Sequence, residues 1–514
     1  MKHRNWIRLG VGALVLSATA SMADQLVIQP LTGNGRLQWN DLSTSFTKAT
    51  NYAVEWASGP GATQVVWHTF TNVPANNPGG GYTAEVPMLF RLRAEVKAQF
   101  PQVRLAVFSD PHCMDPSLLV ADGTAFQTYL AGDRKLLAES HAILEEVVTE
   151  LVAAKPQIVL ITGDLTKDGE FVSHQDVTNQ LAQLKAAGAK VFVCPGNHDV
   201  NNPDAASYNG ANATAVPSIS AAQFAALYGA YGFNDALARD PNSLSYVAEP
   251  VPGLWILSMD SCRYDRNTNG IPYTGGYFDA SRLNWITNQL AVAHAQGKYV
   301  LGMMHHGILE HYKGQKALFP DYVLDDYQAV SQLFASYGMK VVFTGHYHAQ
   351  DAVKAAYSQG PILDIETGST VTYPCPYRIM DLDAGGNLAI TSHYITRINY
   401  DLGGVDFGTY ATNFLQSGML NLSAYMLMSP PYNLPQAQAQ SLAPAMTEGF
   451  ISHYQGDEGT RPVSAATQGT IAYLRSTGDP LSSMLADALT SVFTDLPPVD
   501  NDLTVNLITG DATP

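Results

Sequence analysis

Five short polar motifs in this 514-residue chain combine histidine with carboxylate or amide side chains. Each motif follows a short apolar run, which predicts that it lies where a buried strand ends. Open α/β sheets bind their ligands at the carboxyl ends of their strands. The motif residues are Asp110 with His112, Asp164, Asn197 with His198 and Asp199, His305, and His346 with His348.

These side chains have the composition of a site for two divalent metal ions. Imidazole nitrogens mixed with oxygen ligands suit a hard or borderline ion such as Mn, Fe, Zn or Ni. Seven of the residues suffice for two ions if one carboxylate is shared. Two carboxylates against two divalent ions leave a charge of about +2, which attracts a phosphate anion.

The same residues indicate a reaction. Paired metal ions clamp a phosphoryl group and generate a hydroxide nucleophile at neutral pH. A protonated imidazole that binds no metal can supply the proton that the leaving group needs. His198 fits this catalytic role, and the neighbouring Asp199 is the candidate for orienting its ring. We therefore predict hydrolysis by in-line attack of a metal-bound hydroxide on phosphorus.

Alternating strands and helices must position these motifs. Strands are predicted at 105–108, 158–161, 191–194, 254–257, 299–304 and 341–343, with β-like segments at 362–365, 377–382 and 388–396. Helical spacing of apolar residues predicts helices at 136–152, 177–187, 283–295 and 327–337. This order predicts an α/β domain over residues 98–400, with parallel βαβ units and a more antiparallel second half.

The five motifs together resemble the calcineurin-like metallophosphoesterase family. The resemblance implies a four-layer α/β/β/α sandwich with a dinuclear metal site along the strand ends. One metal ion would be held by Asp110, His112 and His348. The other would be held by Asn197, His305 and His346, with Asp164 bridging the two ions and His198 acting as the acid.

One motif departs from the family pattern. The family usually has Met-His-x-Pro, in which the histidine after methionine is the ligand. Here Gly307 replaces the proline, and two histidines are adjacent. The resemblance assigns His305, rather than His306, to the metal.

Other segments resemble secreted bacterial phosphoesterases that are similar to class III cyclic nucleotide phosphodiesterases. They are 132–136, 240–246 and 259–262. This resemblance favours small-molecule phosphodiesters, with cyclic nucleotides among the candidates. Two alternatives stay open: a phosphomonoesterase or nucleotidase with the same site, and a secreted binding protein with an inactive metal core.

Residues 1–23 have the pattern of a cleaved signal peptide: a basic start, a short apolar run and Ser21-Met22-Ala23. We therefore expect an exported protein, periplasmic or extracellular, with no membrane span in the mature chain. Cleavage removes three positive charges and no acidic residue, which changes the formal charge of −17 to −20. Such an acidic chain has no evident nucleic-acid-binding surface.

The flanking regions carry weaker patterns. Residues 24–97 alternate strand-like runs with Gly/Pro turns, which predicts a small β-sandwich that resembles fibronectin type III modules. Its expected partner is a cell-surface or polymeric ligand. Residues 401–514 are predicted to form a mostly helical C-terminal region.

Several other polar residues have ordinary structural interpretations. His453 and Glu458 lie close enough in sequence to suggest a metal or substrate contact, but we interpret them as part of a turn. His311 shows no ligand spacing. The four cysteines, which allow three full disulfide pairings, are slightly favoured to be free, buried thiols. They are Cys113, Cys194, Cys262 and Cys375.

Overall fold

The computed structural model describes residues 100–267, 270–430 and 432–514 in full, and seven backbone strands before them. The chain divides into two compact units. The first comprises residues 1–101 with the segments 292–299 and 384–386. The second comprises residues 102–291, 300–383 and 387–514, and it contains every residue of the predicted site.

The early strands pair only in antiparallel fashion. They are β1 (Trp6–Arg8), β2 (Ala13–Val15), β3 (Arg36–Trp39), β4 (Thr47–Ser58), β5 (Val66–Pro74), β6 (Tyr82–Glu85) and β7 (Phe90–Ala98). β1 pairs with β2, β3 pairs with β6, and β4 lies between β5 and β7. The packing of a β-sandwich over residues 24–97 and the cleavage site of the signal peptide lie outside the described residues.

A seven-stranded sheet carries the first three motifs. Its order is β11-β10-β8-β21-β22-β23-β24. The strands are β8 (Val103–Phe108), β10 (Ile158–Ile161), β11 (Lys190–Val193), β21 (Pro376–Leu382), β22 (Asn387–Tyr394), β23 (Leu503–Asn506) and β24 (Ala512–Thr513). The strands β8, β10 and β11 are parallel, whereas the remaining pairs are antiparallel.

A second seven-stranded sheet carries the last two motifs. Its order is β14-β15-β16-β17-β18-β20-β19, and β17, β18 and β20 are parallel. Its strands are β14 (Ala236–Arg239), β15 (Tyr246–Val251), β16 (Leu254–Ser258), β17 (Tyr299–Met303), β18 (Val341–Thr344), β19 (Asp351–Tyr357) and β20 (Gly360–Glu366). A small sheet joins β9 (Leu119–Ala121), β12 (Ala206–Asn209) and β13 (Asn212–Ala215). This is the mixed α/β architecture predicted from the sequence.

Eleven α-helices lie in the described ranges. They are α1 (Thr124–Leu130), α2 (Ser140–Ala154), α3 (Phe171–Ala186), α4 (Ala221–Leu227), α5 (Ala280–Ala295), α6 (Gln315–Leu318), α7 (Tyr327–Ser336), α8 (Phe407–Met428), α9 (Gln436–Gln455), α10 (Ala465–Ser476) and α11 (Pro480–Val492). Short helical turns occur at Pro116–Leu118, Gly229–Phe233, Tyr264–Arg266 and Glu458–Thr460. Among the helices of this part of the chain, none is both long and apolar enough to cross a membrane.

The central strands are buried on both faces. In β8, Leu105 and Val107 point to one face and Ala106 and Phe108 to the other, and all four are 0% exposed. A strand that is apolar on both faces must be covered on both sides. The motif that follows each strand is therefore held by a rigid, water-excluding core.

Helix α2 begins later than predicted. Leu136 and Leu137, which the apolar spacing placed inside the helix, belong to a turn in which the Leu136 amide donates to the Val371 carbonyl. The helix itself begins at Ser140. It ends where Lys155 adopts a left-handed conformation (φ 55°) directly before Pro156, because the residue before proline avoids helical geometry.

The C-terminal region contains the expected helices, α8 to α11, and ends in two strands that were not predicted. β23 pairs with β22 and so extends the first large sheet. Leu503 and Val505 fill the core from this strand, with exposures of 2% and 0%. The end of the chain is therefore an integral part of the domain that holds the predicted site.

All four cysteines are buried and unpaired. The structure thus agrees with the interpretation that they are free thiols. Burial raises the pKa of Cys113, Cys194 and Cys262 well above the ordinary value.

Candidate metal centre

The strand ends of the two large sheets meet at one place. The Thr162 hydroxyl, just after β10, donates to the Thr344 carbonyl at the end of β18 (3.2 Å). Ser109, after β8, forms a bridge with Ser369, which follows β20. All five predicted motifs therefore converge at this junction, each from the strand that precedes it.

One group of predicted ligands comprises Asp110, His112 and His348. Their ligand atoms lie close together: His112 Nε2 is 3.3 Å from His348 Nε2 and 3.8 Å from Asp110 Oδ1. His348 Nε2 is 3.5 Å from the same oxygen. All three side chains are at most 4% exposed.

The second group comprises Asp164, Asn197, His305 and His346. His305 Nε2 lies 3.0 Å from Asn197 Oδ1 and 3.2 Å from Asp164 Oδ2. A ligand atom of His346 lies within 4.8 Å of those of Asp164 and His305. Asp164 Oδ2 is also 3.6 Å from His112 Nε2 in the first group. Asp164 thus faces both groups, as the predicted shared carboxylate must.

The arrangement fits metal ions. Ligands about 2.1 Å from one ion lie roughly 3–3.5 Å from each other, which is close to the separations found here. Asp110 Oδ1 is buried and has no hydrogen-bond partner among the described residues. An orphaned carboxylate oxygen that faces two imidazole nitrogens is the kind of atom that a cation would satisfy.

Hydrogen bonds behind the imidazoles set their orientation. His305 Nδ1 donates to the Thr162 carbonyl (2.9 Å), and His346 Nε2 donates to the Asp321 carbonyl (3.2 Å). His348 Nδ1 pairs with the Thr372 hydroxyl (2.9 Å). Each contact leaves the other ring nitrogen for the site, which is how metal-binding histidines are usually fixed.

The adjacent histidines 305 and 306 have different partners. His306 uses Nδ1 on the Ser261 hydroxyl (2.7 Å) and Nε2 on the Thr274 carbonyl (2.8 Å). Both of its nitrogens are therefore occupied, whereas His305 Nε2 points at Asp164. This geometry supports the assignment of His305 made from the sequence.

Several of the predicted ligands lie on strained backbone. Five have positive φ angles: Asp110 (49°), His112 (38°), Asp164 (48°), His346 (78°) and His348 (71°). Such conformations cost about 1–3 kcal/mol each and cluster at functional sites.

Two glycines allow the tight approach of the motifs. A Cβ at Gly196 would lie 2.1 Å from Asp164 Oδ1, and one at Gly345 would lie 2.0 Å from the Ser109 hydroxyl. The glycines that precede Asn197 and His346 are therefore required by close packing of the strand ends.

Electrostatics keep most of these imidazoles neutral. Burial lowers the pKa of His112 and His346 well below the ordinary value. Burial and the charge of Arg134 lower the pKa of His348 to about 4. Neutral imidazole is the metal-binding form, so these three rings are in that form near neutral pH.

Asp164 and His305 form a coupled buried pair. Burial alone would raise the pKa of Asp164, but the charges of His305 and His198 hold it well below the ordinary value. Burial alone would lower the pKa of His305, but the Asp164 carboxylate raises it to about 9. The pair therefore keeps a carboxylate at the point where the two ligand groups meet.

His198 differs from the ligands because its side chain is 24% exposed. Its Nδ1 lies 2.8 Å from Asp168 Oδ1, which leaves Nε2 free to face a substrate. Burial and the charge of Lys135 act to lower the pKa of His198, whereas the carboxylates of Asp164 and Asp168 act to raise it; the net effect is a raised pKa. The raised pKa favours the protonated ring, which is the form that a proton donor needs.

The predicted role of Asp199 was wrong. Its carboxylate accepts from the backbone amides of Leu165, Thr166 and Gly196 at 2.8–3.1 Å. It therefore ties the two strand-end loops together, while Asp168 holds the His198 ring. Burial and the negative charge of Asp164 raise the pKa of Asp199 to about 7.

Asp168 is the functional residue that sequence reasoning missed. Its Oδ2 contacts Lys167 and accepts from the Tyr129 hydroxyl (3.0 Å). Its Oδ1, which contacts the His198 ring, also accepts from the Asn202 side-chain amide (3.3 Å). Burial would raise the pKa of Asp168, but the charge of Lys167 and the His198 hydrogen bond lower it to about 2. The only sequence signal is a carboxylate in the loop after Asp164, which does not distinguish it from a surface residue.

Comparison with known proteins finds one family that matches the part of the chain that carries this site. Residues 103–350 match the family model of the calcineurin-like phosphoesterases. The family implies a hydrolase that acts on phosphate esters. The match ends two residues after His348 and spans every predicted ligand. No curated protein matches the chain.

Several solved structures are similar to the chain, all at low identity. A dimetal phosphatase from Danio rerio is 16% identical, with a TM-score of 0.40, and the match covers 57% of this chain and 97% of that one. A purple acid phosphatase from yellow lupin is 13% identical (TM-score 0.38; 70% and 69% covered). The NAD nucleotidase of Haemophilus influenzae is 12% identical (TM-score 0.32; 62% and 56% covered).

Proposed function

We propose that this protein is an exported, dinuclear metal-dependent phosphoesterase that hydrolyses phosphodiesters. The observation that carries the proposal is the position of Asp164 Oδ2, 3.2 Å from one predicted ligand group and 3.6 Å from the other. A carboxylate shared between two sets of imidazole and oxygen donors is what a pair of metal ions requires.

Asp110, His112 and His348 would hold one ion, and Asn197, His305 and His346 the other. When bound, two such ions supply a nucleophile at neutral pH and neutralise charge on the phosphoryl oxygens. The seven ligands lie in a buried setting that excludes water, where electrostatic interactions are stronger than in bulk solvent.

His198 would donate a proton to the leaving group. Asp168 holds the ring by Nδ1, so the proton on Nε2 is the one available for transfer. This role is supported by the exposure of the His198 side chain, which is 24%, whereas the predicted ligands are buried. General acid help of this kind typically contributes about 10²–10⁴-fold to a rate.

The preference for diesters comes from the resemblance of segments 132–136, 240–246 and 259–262 to phosphodiesterases. One structural observation favours the alternative, a phosphomonoesterase or nucleotidase. The cationic side chains of Arg134 and Lys135 lie near enough to the site to lower the pKa of His348 and of His112, respectively. Extra positive charge would favour binding of a monoester, which carries a second negative charge that a diester lacks.

The rates of hydrolysis of bis-p-nitrophenyl phosphate, a diester, and p-nitrophenyl phosphate, a monoester, distinguish a phosphodiesterase from a phosphomonoesterase. Metal-stripped protein would be refilled with Mn, Zn, Fe or Ni and compared with Asp164→Asn. We expect metal-dependent cleavage of the diester that falls at least about 100-fold in the variant. A matched control is Asp260→Asn, because Asp260 is also a buried strand-end carboxylate but binds backbone amides and Tyr264.

The outcomes separate the candidate functions. Cleavage of the monoester alone would assign a phosphatase or nucleotidase. Equal activity in Asp164→Asn and the unmodified protein would show that the site is elsewhere. Ligand binding by residues 24–97 without any metal-dependent hydrolysis would instead favour the binding protein. Export is tested separately, by cell fractionation with and without residues 1–23.

A further inference from the structure

A second cluster of histidine and carboxylate side chains lies outside the dinuclear site. Asp351 begins β19, His453 lies near the end of α9, and Glu458 begins the helical turn that follows. His453 Nδ1 is 3.3 Å from Asp351 Oδ2 and contacts Glu458 Oε1 directly. The structure therefore brings together the His453 and Glu458 pair, which the sequence placed in a simple turn.

This cluster is enclosed. The side chains of Asp351, His453 and Glu458 are at most 4% exposed, and one ligand atom from each lies within 4.8 Å of the others. The second oxygen of Glu458, Oε2, is buried without a hydrogen-bond partner among the described residues. A buried carboxylate oxygen with no donor costs free energy unless a cation or a proton satisfies it.

Further carboxylates surround these three residues. His311 places Nδ1 2.9 Å from Asp351 Oδ1 and Nε2 3.3 Å from Asp364 Oδ2. The same Nε2 is 3.7 Å from Glu366 Oε2, and it has no hydrogen-bond partner in the described part of the chain. His311, which showed no ligand spacing in the sequence, thus contacts Asp351 through Oδ1. The other oxygen, Asp351 Oδ2, faces His453.

This region has more buried carboxyl groups than buried cationic side chains among the described residues. Its buried carboxylates are those of Asp351, Asp364, Glu366, Glu458 and Asp500. Arg378 contributes one buried guanidinium, which donates to the carbonyls of Asp500 and Glu366. If all five carboxylates are ionised, three cations face five anions even when both imidazoles are charged. One divalent cation, or protons held by two of the carboxylates, would bring the sum to zero, because buried charges are costly unless they are paired.

We propose that Asp351, His453 and Glu458 form a third metal site, which binds one divalent ion, Zn²⁺ or Mn²⁺. Two carboxylates and one imidazole are a donor set that suits such borderline ions. The site shares no ligand with the dinuclear centre and does not depend on the proposed catalytic function. It ties α9 and the following turn to the edge strand β19, so its effect is on stability.

The experiment uses the full chain with the dinuclear centre disabled by His112→Ala and His305→Ala. After metal stripping and refilling with Zn²⁺ or Mn²⁺, metal content and thermal unfolding are measured. We expect about one equivalent of metal to remain, and an increase of several degrees in the unfolding midpoint. Adding His453→Gln and Glu458→Gln should abolish both effects.

Glu448→Gln is the matched control for these substitutions. Glu448 lies on the same helix, but its carboxylate accepts from Ser464 and Thr467, away from the cluster. It should leave the metal content and the midpoint unchanged. Loss of the retained metal in Glu448→Gln would show that any disturbance of α9 releases the ion, which overturns the assignment of ligands.

A spectroscopic measurement covers the case in which the His453 and Glu458 variants do not fold. Zinc-edge X-ray absorption of the protein with only the dinuclear centre disabled should show one imidazole and oxygen ligands. Two or more imidazoles would place the zinc elsewhere and overturn the proposal. Absence of bound metal from a folded protein, judged by circular dichroism, would also overturn it.

Discussion

The carboxylate of Asp110 is held in one orientation at the candidate metal centre. Its Oδ2 accepts from the Ser109 hydroxyl and from the His346 amide (3.0 Å), so the carboxylate cannot rotate freely. Its Oδ1 is left facing His112 and His348 without a hydrogen-bond partner in the described ranges. One oxygen thus fixes the position and the other is kept for a cation, which is the division of labour expected of a preorganised ligand.

The pairing of Asp168 with His198 gives a prediction at the same scale. In Asp168→Asn, the His198 ring loses both its anchor and the negative charge that raises its pKa. We expect kcat to fall about 10- to 100-fold. The pKa of His198 should decrease, so the loss of activity on raising the pH should begin at a lower pH. Steady-state rates across the pH range measure both effects.

Two diesters with different leaving groups distinguish a role of Asp168 in proton transfer from a role in the fold. A diester with an alkyl leaving group needs the proton more than one with p-nitrophenolate, so the decrease should be larger for the alkyl diester. Asp204→Asn serves as the control, because Asp204 is a nearby exposed carboxylate that does not hold the ring. Equal losses for the two leaving groups would argue that Asp168 supports only the fold.

The clustering of the candidate metal ligands was predictable because the sequence signal for each of them is local. A short apolar run followed by Asp, Asn or His predicts where a strand ends and which polar side chain follows it. Asp164 and His305 are examples. The partner of His198 was not predictable, because Asp168 and Asp199 are both nearby loop carboxylates. Only the path of the loop decides that Asp199 bonds to backbone amides and Asp168 to the ring.

At the scale of elements, the parallel strands β8, β10 and β11 deliver the first three motifs in register. The loops after β10 and β11 then cross so closely that Gly196 touches Asp164. Gly196→Ala would place its Cβ 2.1 Å from Asp164 Oδ1, and the loops must separate to admit it. We expect a loss of about 1–3 kcal/mol in the free energy of unfolding and weaker metal binding, measured by denaturation and metal titration.

Gly469→Ala is the matching control. Gly469 lies inside α10, and nothing lies within 4 Å of where its Cβ would be. Alanine favours helix there by up to about 1 kcal/mol, so this variant should be slightly more stable and should bind metal normally. If Gly196→Ala bound metal as well as Gly469→Ala, the close crossing of the two loops would not matter to the site.

The strands of the two large sheets were largely predictable, since their apolar runs are continuous. The strand β23 near the end of the chain was not predictable. Leu503-Thr504-Val505-Asn506 is a short alternating segment that becomes a strand only because β22 offers a free edge. The end of β22 and the start of β23 are more than 100 residues apart, and no local pattern reveals that pairing.

At the scale of the whole molecule, the buried carboxylates near Arg378 make stability depend on pH. Burial and the charges of Asp351 and Glu458 raise the pKa of Asp500 to about 10. The unfolded chain has an ordinary value of about 4, so the folded state binds the extra proton between these limits. The stability from this group is fully present below about pH 4 and is lost as the pH rises toward 10.

Metal-stripped protein should therefore unfold more easily at pH 9 than at pH 6. The contribution of Asp500 is at most about 4 kcal/mol over that interval. Asp500→Asn should reduce the pH dependence, whereas Asp502→Asn, which removes an exposed carboxylate two residues away, should not. Thermal unfolding at a series of pH values measures the effect, and identical slopes for the two variants would contradict it.

The four buried thiols mean that folding of this protein does not depend on the redox state of its surroundings. Because no disulfide has to form, folding does not wait for an oxidant or an isomerase. Burial raises the pKa of all four thiols, which keeps them in the protonated, unreactive form. The protein should reach the same fold in a reducing cytoplasm as in an oxidising compartment, and dithiothreitol should leave its unfolding temperature unchanged.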